Sequence, residues 1–317
     1  MDASILPELW LWIIVVTLIV SLVTDGFDLG VGILALFTGQ EAQRRQLMAS
    51  IKGVWRANQM WLALVGGMLF WAFPAACDLA LTALRLPLVG LFLALAARGV
   101  GLEGHARAGN PRRFSTLFGL GSLAAAMLLG AMLGAALPGL PDTSGAFDWL
   151  FGPSGPGAAL GTLILPCLAV VLGSGWALGK LPDHQPPRAL AWIAWAGLLL
   201  QAALAGLLPL PALIGLPAAL AACIYFVWLL LALNRGEGIF PAAACYTAAC
   251  LAAWAMAARP LLTDPRMSPE AVAASPRSLT VMLWCLGLAL PVVLAYSIHR
   301  YRVFRGPIPS DDTHDTP

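Results

Sequence analysis

The chain has 317 residues, of which 60% are hydrophobic and only 11% are charged. Soluble domains carry roughly 25% charged residues, so this composition excludes a soluble globular protein and predicts an all-α integral membrane protein. The formal net charge of +2 gives no reason to expect a nucleic-acid partner, and we expect membrane lipid around the chain.

Long apolar stretches predict about nine transmembrane helices. They cover roughly residues 9–36, 55–74, 80–102, 115–137, 157–179, 189–207, 212–233, 240–258 and 279–301. The polar stretch 138–157 predicts a division into two helical bundles, roughly residues 1–145 with four helices and 146–306 with a second bundle plus one further helix. Residues 307–317 are short of apolar side chains and are expected to form a disordered cytoplasmic tail.

The distribution of basic residues predicts the orientation of the chain. On one set of loops and helix ends there are twelve lysines and arginines, and on the opposite set there are four. Because cytoplasmic loops are enriched in Lys and Arg, the N-terminus is predicted outside and the C-terminus in the cytoplasm. The loop charges thus fit a multi-pass membrane protein with an odd number of spans.

The first span contains two carboxylates, Asp25 and Asp28, inside an otherwise apolar helix. A carboxylate in the middle of a bilayer costs roughly 2.5–3.5 kcal/mol on insertion scales and usually faces a partner or a polar cavity. Residues three apart share one face of a helix, and Gly26, Gly30 and Gly32 allow a neighbouring helix to come close. Two interpretations fit, a face that handles protons or docks a partner, and a membrane-boundary motif at which the helix ends.

The second span opens with four candidate site residues, Trp55, Arg56, Asn58 and Gln59. They enter the bilayer at the level where the first span brings Asp28 out. The two amides can form hydrogen bonds across helices for about 1 kcal/mol or less, and the tryptophan is typical of a membrane interface. We predict that Arg56 pairs with Asp25 or Asp28, because such a pair lowers the insertion cost of both partners.

The third span ends with Arg98 and Glu103, at the predicted cytoplasmic boundary. One interpretation is a pair of boundary residues with a snorkelling arginine, and the other is a structural ion pair beside the two aspartates.

The four histidines are His105, His184, His299 and His314. All of them fall in predicted loops, at a helix end or in the tail. A haem inside the membrane commonly takes histidine ligands, so the chain is not expected to ligate a haem unless a methionine supplies the ligand. We also predict no catalytic residue, no other cofactor site and no metal site in this chain.

Several motifs together resemble one known family. They are TDGFDLGVG at residues 24–32, WxxNQMWL at 55–62, RGVGLE at 98–103 and GSGW at 173–176. The sequence carrying them resembles subunit II of the cytochrome bd-type quinol oxidases.

The resemblance implies a multi-pass complex of a bacterial plasma (inner) membrane, in which a partner, subunit I, ligates two haems b and one haem d. It implies oxidation of a quinol and reduction of oxygen to water, with a subunit like this one supporting the haem-bearing chain and helping to deliver cytoplasmic protons. Such a subunit is inactive when isolated. A small single-span accessory subunit is a further candidate partner.

One residue departs from the family pattern. The family usually has Asp or Glu directly after the tryptophan of the second motif, where this chain has Arg56. A guanidinium cannot relay protons at neutral pH. Three alternatives remain. Asp25 and Asp28 suffice for the proton path, or protons enter through the partner subunit, or the chain is a divergent assembly or scaffold paralogue. A secondary transporter or channel that uses the two aspartates is the alternative from another functional class.

Overall fold

The computed structural model of the chain describes residues 5–105, 111–136, 145, 147–181, 190–206, 224, 226–235, 238–258, 268–304 and 306. Every regular element within these residues is a helix. In chain order the helices are α1 (Ile5–Phe37), α2 (Glu41–Lys52), α3 (Trp55–Ala72), α4 (Pro74–Ala83), α5 (Arg85–His105), α6 (Pro111–Ala136), α7 (Asp148–Phe151), α8 (Gly155–Lys180), α9 (Leu190–Gly206), α10 (Phe226–Arg235), α11 (Ile239–Ala258), α12 (Pro269–Val272) and α13 (Pro276–Val303). The all-α fold class is therefore confirmed for the described part of the chain.

Five of the described helices are long and apolar enough to cross a membrane, namely α1, α5, α6, α8 and α13. A sixth span results if the bent pair α3–α4 is counted as one. The predicted span at 212–233 lies largely outside the described residues, as does the tail at 307–317. The count of about nine spans, the orientation of the termini and the division into two bundles stay predictions.

The second and third predicted spans differ from the observed helices. α3 ends at Ala72, and a separate helix, α4, begins at Pro74 with a bend of 118°. A proline restricts the residue before it to extended conformations and is favourable at the first position of a helix. Phe73 accordingly has φ −131° and ψ 65°, which interrupts the helix. The third span therefore begins at Arg85 instead of residue 80.

Helix α1 lies at the centre of the helix assembly. It packs against α3, α6, α8 and α11, and every residue from 25 to 35 is buried. A helix that is buried on all sides lies inside a bundle of other helices. The two aspartates of α1 therefore lie in the protein core, away from lipid and bulk water.

Small residues determine how closely α1 and α8 cross. A Cβ atom at Gly30 would lie 1.8 Å from the carbonyl oxygen of Ala169, and one at Gly173 would lie 2.5 Å from the carbonyl carbon of Gly30. No side chain fits at either position, so backbone packs directly on backbone. This close crossing fixes the height and rotation of α1 against α8.

Helix α13 is attached to the other helices at both of its ends. Near its start, the indole nitrogen of Trp10 donates to the carbonyl of Leu279 at 3.1 Å. Near its end, Arg300 Nε donates to the carbonyl of Gly53 at 2.8 Å, and the ammonium of Lys180 donates to the carbonyl of Phe304. These contacts hold the last turns of α13 beside the first turn of α3.

Candidate functional site

Asp25 forms a buried ion pair with Arg98 of α5. The guanidinium donates from both terminal nitrogens, with distances of 3.0 and 3.1 Å to the two carboxylate oxygens. The side chain of Arg98 is 0% exposed and that of Asp25 is 3% exposed. The guanidinium also lies over the ring of Phe118, 5.7 Å from its centroid. This two-point geometry neutralises Asp25 inside the core.

Asp28 is held by an amide instead of a cation. Nδ2 of Asn58 donates to Oδ2 of Asp28 at 2.9 Å, and the hydroxyl of Tyr301 donates to Oδ1 of the same Asn58 at 2.8 Å. Asp28 and Asn58 are both 0% exposed. Among the described residues, none donates a hydrogen bond to Oδ1 of Asp28. The structure thus forms a chain of contacts from α1 through α3 to α13.

An aromatic cluster packs around Phe27, one of the two residues between the aspartates. Phe27 stacks on Trp176 with ring centroids 4.2 Å apart, and Phe240 contacts both rings edge-on at 5.6 Å. Tyr301 meets Phe27 and Trp176 edge-on at 6.4 and 6.0 Å. Trp176 in turn donates its indole N–H to the carbonyl of Ser50 at 3.3 Å. These contacts fix the rotation of α1 at the site and separate it from water.

The prediction that Arg56 pairs with Asp25 or Asp28 is wrong. Arg56 is 64% exposed at its side chain and forms its ion pair with Glu103, and its guanidinium lies 5.5 Å from the ring centroid of Trp55. A helix turns by about 100° per residue, so two residues along α3 separate two side chains by about 200°. Since Asn58 faces Asp28, Arg56 has to point away from it.

Arg98 and Glu103, which were considered as a structural ion pair, each pair with a different residue. Arg98 pairs with Asp25 and Glu103 pairs with Arg56. Five residues along a helix correspond to a rotation of about 140° beyond one full turn, so Arg98 and Glu103 lie on different faces of α5. Arg98 reaches the core, and Glu103 lies at its edge.

The remaining candidates are Trp55 and Gln59, which lie one turn apart on α3. Trp55 is 8% exposed and belongs to the hydrophobic core. Gln59 is half-buried and lines a cleft of about 1030 Å³ between α1, α3, α4, α5, α6 and α11. The cleft is otherwise lined by Arg56 and by apolar side chains. Gln59 thus contributes to the edge of this cleft.

Tyr301 is the site residue that sequence reasoning missed. It lies 243 positions from Asn58, in a basic segment at the end of the last span. A signal was present in the helical spacing, because Val293 and Ser297 are buried and Tyr301 follows them on the same face at intervals of four. The spacing indicates a buried face without indicating which helix covers it.

Within the described part of the chain, no group of three or more His, Cys, Asp and Glu side chains could hold a metal ion. His105 and His299 lie at the last residue of α5 and near the end of α13. His184 and His314 lie outside the described residues. A carboxyl group such as those of Asp25 and Asp28 can accept hydrogen bonds when ionised and can bind a proton.

We expect Arg56→Ala to lower the free energy of unfolding by less than about 1 kcal/mol, because exposed ion pairs contribute about 0–1 kcal/mol. The midpoint of thermal unfolding in detergent measures this effect. Glu103→Gln serves as the matched control, since it removes the same pair from the other side. A large drop in the midpoint for Arg56→Ala would contradict the exposed placement of this pair.

Comparisons with known proteins agree with the sequence motifs. The family model described as "Cytochrome bd terminal oxidase subunit II" matches residues 6–304. The "Cytochrome bd-I ubiquinol oxidase subunit 2" of Escherichia coli strain K12 is 30% identical over 222 residues, which are 65% of this chain and 57% of that protein. The "Probable cytochrome oxidase subunit 2" of Haemophilus influenzae is 31% identical over 202 residues, 59% of this chain and 52% of that protein. The matched segments thus span little more than half the length of these relatives.

A solved structure has the same fold. The bd oxidase structure from Geobacillus thermodenitrificans aligns with a TM-score of 0.67 and 13% identity, over 95% of this chain and 98% of that chain. This likeness concerns the fold, and the family model concerns the sequence over almost its whole length. The resemblance seen in the motifs is confirmed, and the chain belongs to the cytochrome bd terminal oxidase subunit II family.

Proposed function

We propose that the chain is the non-haem subunit II of a cytochrome bd-type quinol oxidase, a complex that oxidises a quinol and reduces oxygen to water in aerobic respiration. In this proposal the chain lies in a bacterial inner membrane and supports a haem-bearing subunit I. The two haems b and the haem d of that partner supply the redox chemistry. Membership of the family and the likeness in fold support the proposal.

Within such a complex, we assign Asp28 to the delivery of cytoplasmic protons. The observation that carries this assignment is a carboxyl group that is 0% exposed, is held at one oxygen by Asn58, and has no donor at Oδ1 among the described residues. Intramembrane carboxyl groups commonly mark ion or proton pathways. A carboxyl group accepts hydrogen bonds when ionised and can donate one from a protonated oxygen. Oδ1 of Asp28 is the atom that would take up and release the proton.

Asp25 supports this assignment by having a different environment. Arg98 uses both terminal nitrogens on Asp25, so the two carboxyl groups are held by different kinds of partner. Two aspartates one helical turn apart can then do different tasks, with Asp25 fixing the packing of α1 on α5 and Asp28 handling the proton. The pairing of Arg56 with Glu103 keeps this cation on the opposite side of α3 from Asp28. This supports a route that uses the aspartates without Arg56.

We expect Asp28→Asn in the intact complex to lower quinol-dependent oxygen consumption by about tenfold or more, equivalent to about 1.4 kcal/mol in the activation barrier. The amide keeps the size of the side chain and the acceptor for Asn58, but it cannot carry the proton. The yield of assembled complex and the haem absorbance bands are expected to stay unchanged. Asp78→Asn, the same chemical change at an exposed position of α4, is the matched control.

The same preparations separate the other candidate functions. An assembled complex that keeps full oxygen consumption in Asp28→Asn would contradict the proton assignment and favour a scaffold subunit. A chain that purifies without any haem protein and moves protons or solutes in liposomes would favour a transporter or channel.

A further inference from the structure

We propose that Tyr301 is a positioning residue, whose hydroxyl fixes the orientation of the Asn58 amide and so presents its N–H group to Asp28. The inference rests on the proposed function of Asp28 and adds the last turn of α13 to the site. It is carried by the two consecutive hydrogen bonds, 2.8 Å from Tyr301 to Asn58 and 2.9 Å from Asn58 to Asp28.

The direction of the first hydrogen bond follows from the chemistry of the two groups. The oxygen of an asparagine side chain can only accept, so the tyrosine hydroxyl has to donate to it. With the oxygen of Asn58 engaged by Tyr301, the NH₂ group is the end that faces Asp28. While Asp28 is ionised, the reversed amide would place its oxygen against Oδ2 of Asp28, two buried acceptors in contact, which is unfavourable. The observed orientation gives each end of the amide a complementary partner, and the hydroxyl stabilises it by donating to the oxygen of Asn58.

The position of this hydroxyl is itself fixed by packing. The ring of Tyr301 meets the ring of Trp176 edge-on at 90° and that of Phe27 at 74°. The residue before it, Arg300, donates to the carbonyl of Gly53 at 2.8 Å, and Gly53 lies five residues before Asn58 in the chain. The helix that carries the donor is thus attached to the segment that carries the acceptor. Residues that do not touch Asp28 themselves, but hold the residue that does, keep such a site in one geometry.

The inference identifies Tyr301 as a residue that acts through Asn58 and not through contact with the transferred proton. Its test therefore needs a readout that reports on Asp28. The infrared band of the Asp28 carboxyl group provides one, and it is identified as the band lost in Asp28→Asn. Because the frequency of a carboxyl group depends on the hydrogen bonds it accepts, turning the amide of Asn58 shifts this band.

The experiment uses Tyr301→Phe in the intact complex, since phenylalanine keeps the ring contacts and removes only the hydroxyl. We expect oxygen consumption to fall by about fivefold, as for the loss of one hydrogen bond, with the Asp28 band shifted. Tyr296→Phe, on the same helix and 37% exposed, is the matched control and is expected to change neither readout. Combined with Asn58→Leu, Tyr301→Phe is expected to add no further loss, because both substitutions remove the same interaction.

The outcomes distinguish this inference from the function on which it rests. An unshifted band and full activity in Tyr301→Phe, with Asp28→Asn impaired, would overturn the inference and leave the proton assignment standing. Full activity in Asp28→Asn would overturn the proton assignment, while the band in Tyr301→Phe would still decide whether the tyrosine orients Asn58. Failure of Tyr301→Phe to assemble would also overturn the inference, since the hydroxyl would then serve folding.

Discussion

Arg98→Gln is expected to lower the free energy of unfolding by about 3–5 kcal/mol, because it leaves the carboxylate of Asp25 buried without its cation. Both side chains of this pair are almost completely buried, and the pair has two-point geometry at 3.0 and 3.1 Å. Glutamine is neutral and cannot repeat this geometry. The measurement is the fraction of intact complex that survives heating in detergent, followed by size-exclusion chromatography.

The matched control replaces both members of the pair. Arg98→Gln combined with Asp25→Asn leaves two neutral side chains that can still form a hydrogen bond with each other. Replacing both members of a buried ion pair is often close to neutral, so we expect the double variant to recover most of the lost stability. Equal stability of Arg98→Gln and the unchanged protein would contradict a structural role for the pair. A double variant as unstable as the single one would mean that the loss of stability comes from altered packing and not from the unpaired carboxylate of Asp25.

The sequence predicted the central element of the site well, because the signal there is local. Asp25 and Asp28 are three residues apart on a helix whose length and composition left no other structure, so a shared face followed from helical geometry. Their burial was one of two open interpretations, favoured by the cost of exposing carboxylates to lipid, and the structure supports it over a membrane-boundary motif. Asn58 was also placed at the correct level, since the first turn of the second span returns beside the end of the first. Each of these conclusions needed only one helix or one short connection.

The choice of ion partners could not be made in the same way. Several basic and acidic side chains lie near the same end of the helices. Their separation in sequence does not predict which of them are close in space. Arg56 lies nearer to Asp25 in sequence than Arg98 does, yet Arg98 is the cation that pairs with Asp25. The rotation of each helix about its axis decides this. On α3 that rotation could have been inferred once Asn58 was placed, because the position two residues earlier lies on the opposite side.

The contribution of Tyr301 depends on packing between distant parts of the chain. Its contact with Asn58 joins positions 243 residues apart. A single sequence shows that Tyr301 shares a helix face with Ser297, but it shows neither that Ser297 is buried nor that α13 packs on α3 at this height. The break at Phe73 is an intermediate case, since the proline that follows was visible and the bend of 118° was not.

Gly30→Ala is expected to prevent assembly of a stable protein, with a loss of about 3 kcal/mol or more, at or beyond the usual range for overpacking. The new Cβ atom would lie 1.8 Å from the carbonyl oxygen of Ala169 and 2.9 Å from Cα of Gly173. All of these neighbours are backbone atoms, so no side chain can turn aside, and α1 has to separate from α8. The yield of monodisperse protein in detergent and its thermal midpoint measure the effect.

Gly66→Ala and Gly67→Ala are the matched controls, because a Cβ atom at either position of α3 meets no described atom within 4 Å. Alanine is favoured over glycine in a helix by about 1 kcal/mol, so these variants are expected to be as stable as the unchanged protein or slightly more stable. Normal stability of Gly30→Ala would mean that α1 and α8 do not cross at this distance. Comparing Gly30→Ala with Asp28→Asn separates a packing effect from a chemical effect at neighbouring positions of α1. Gly30→Ala should reduce the amount of complex, whereas Asp28→Asn should reduce only its rate of oxygen consumption.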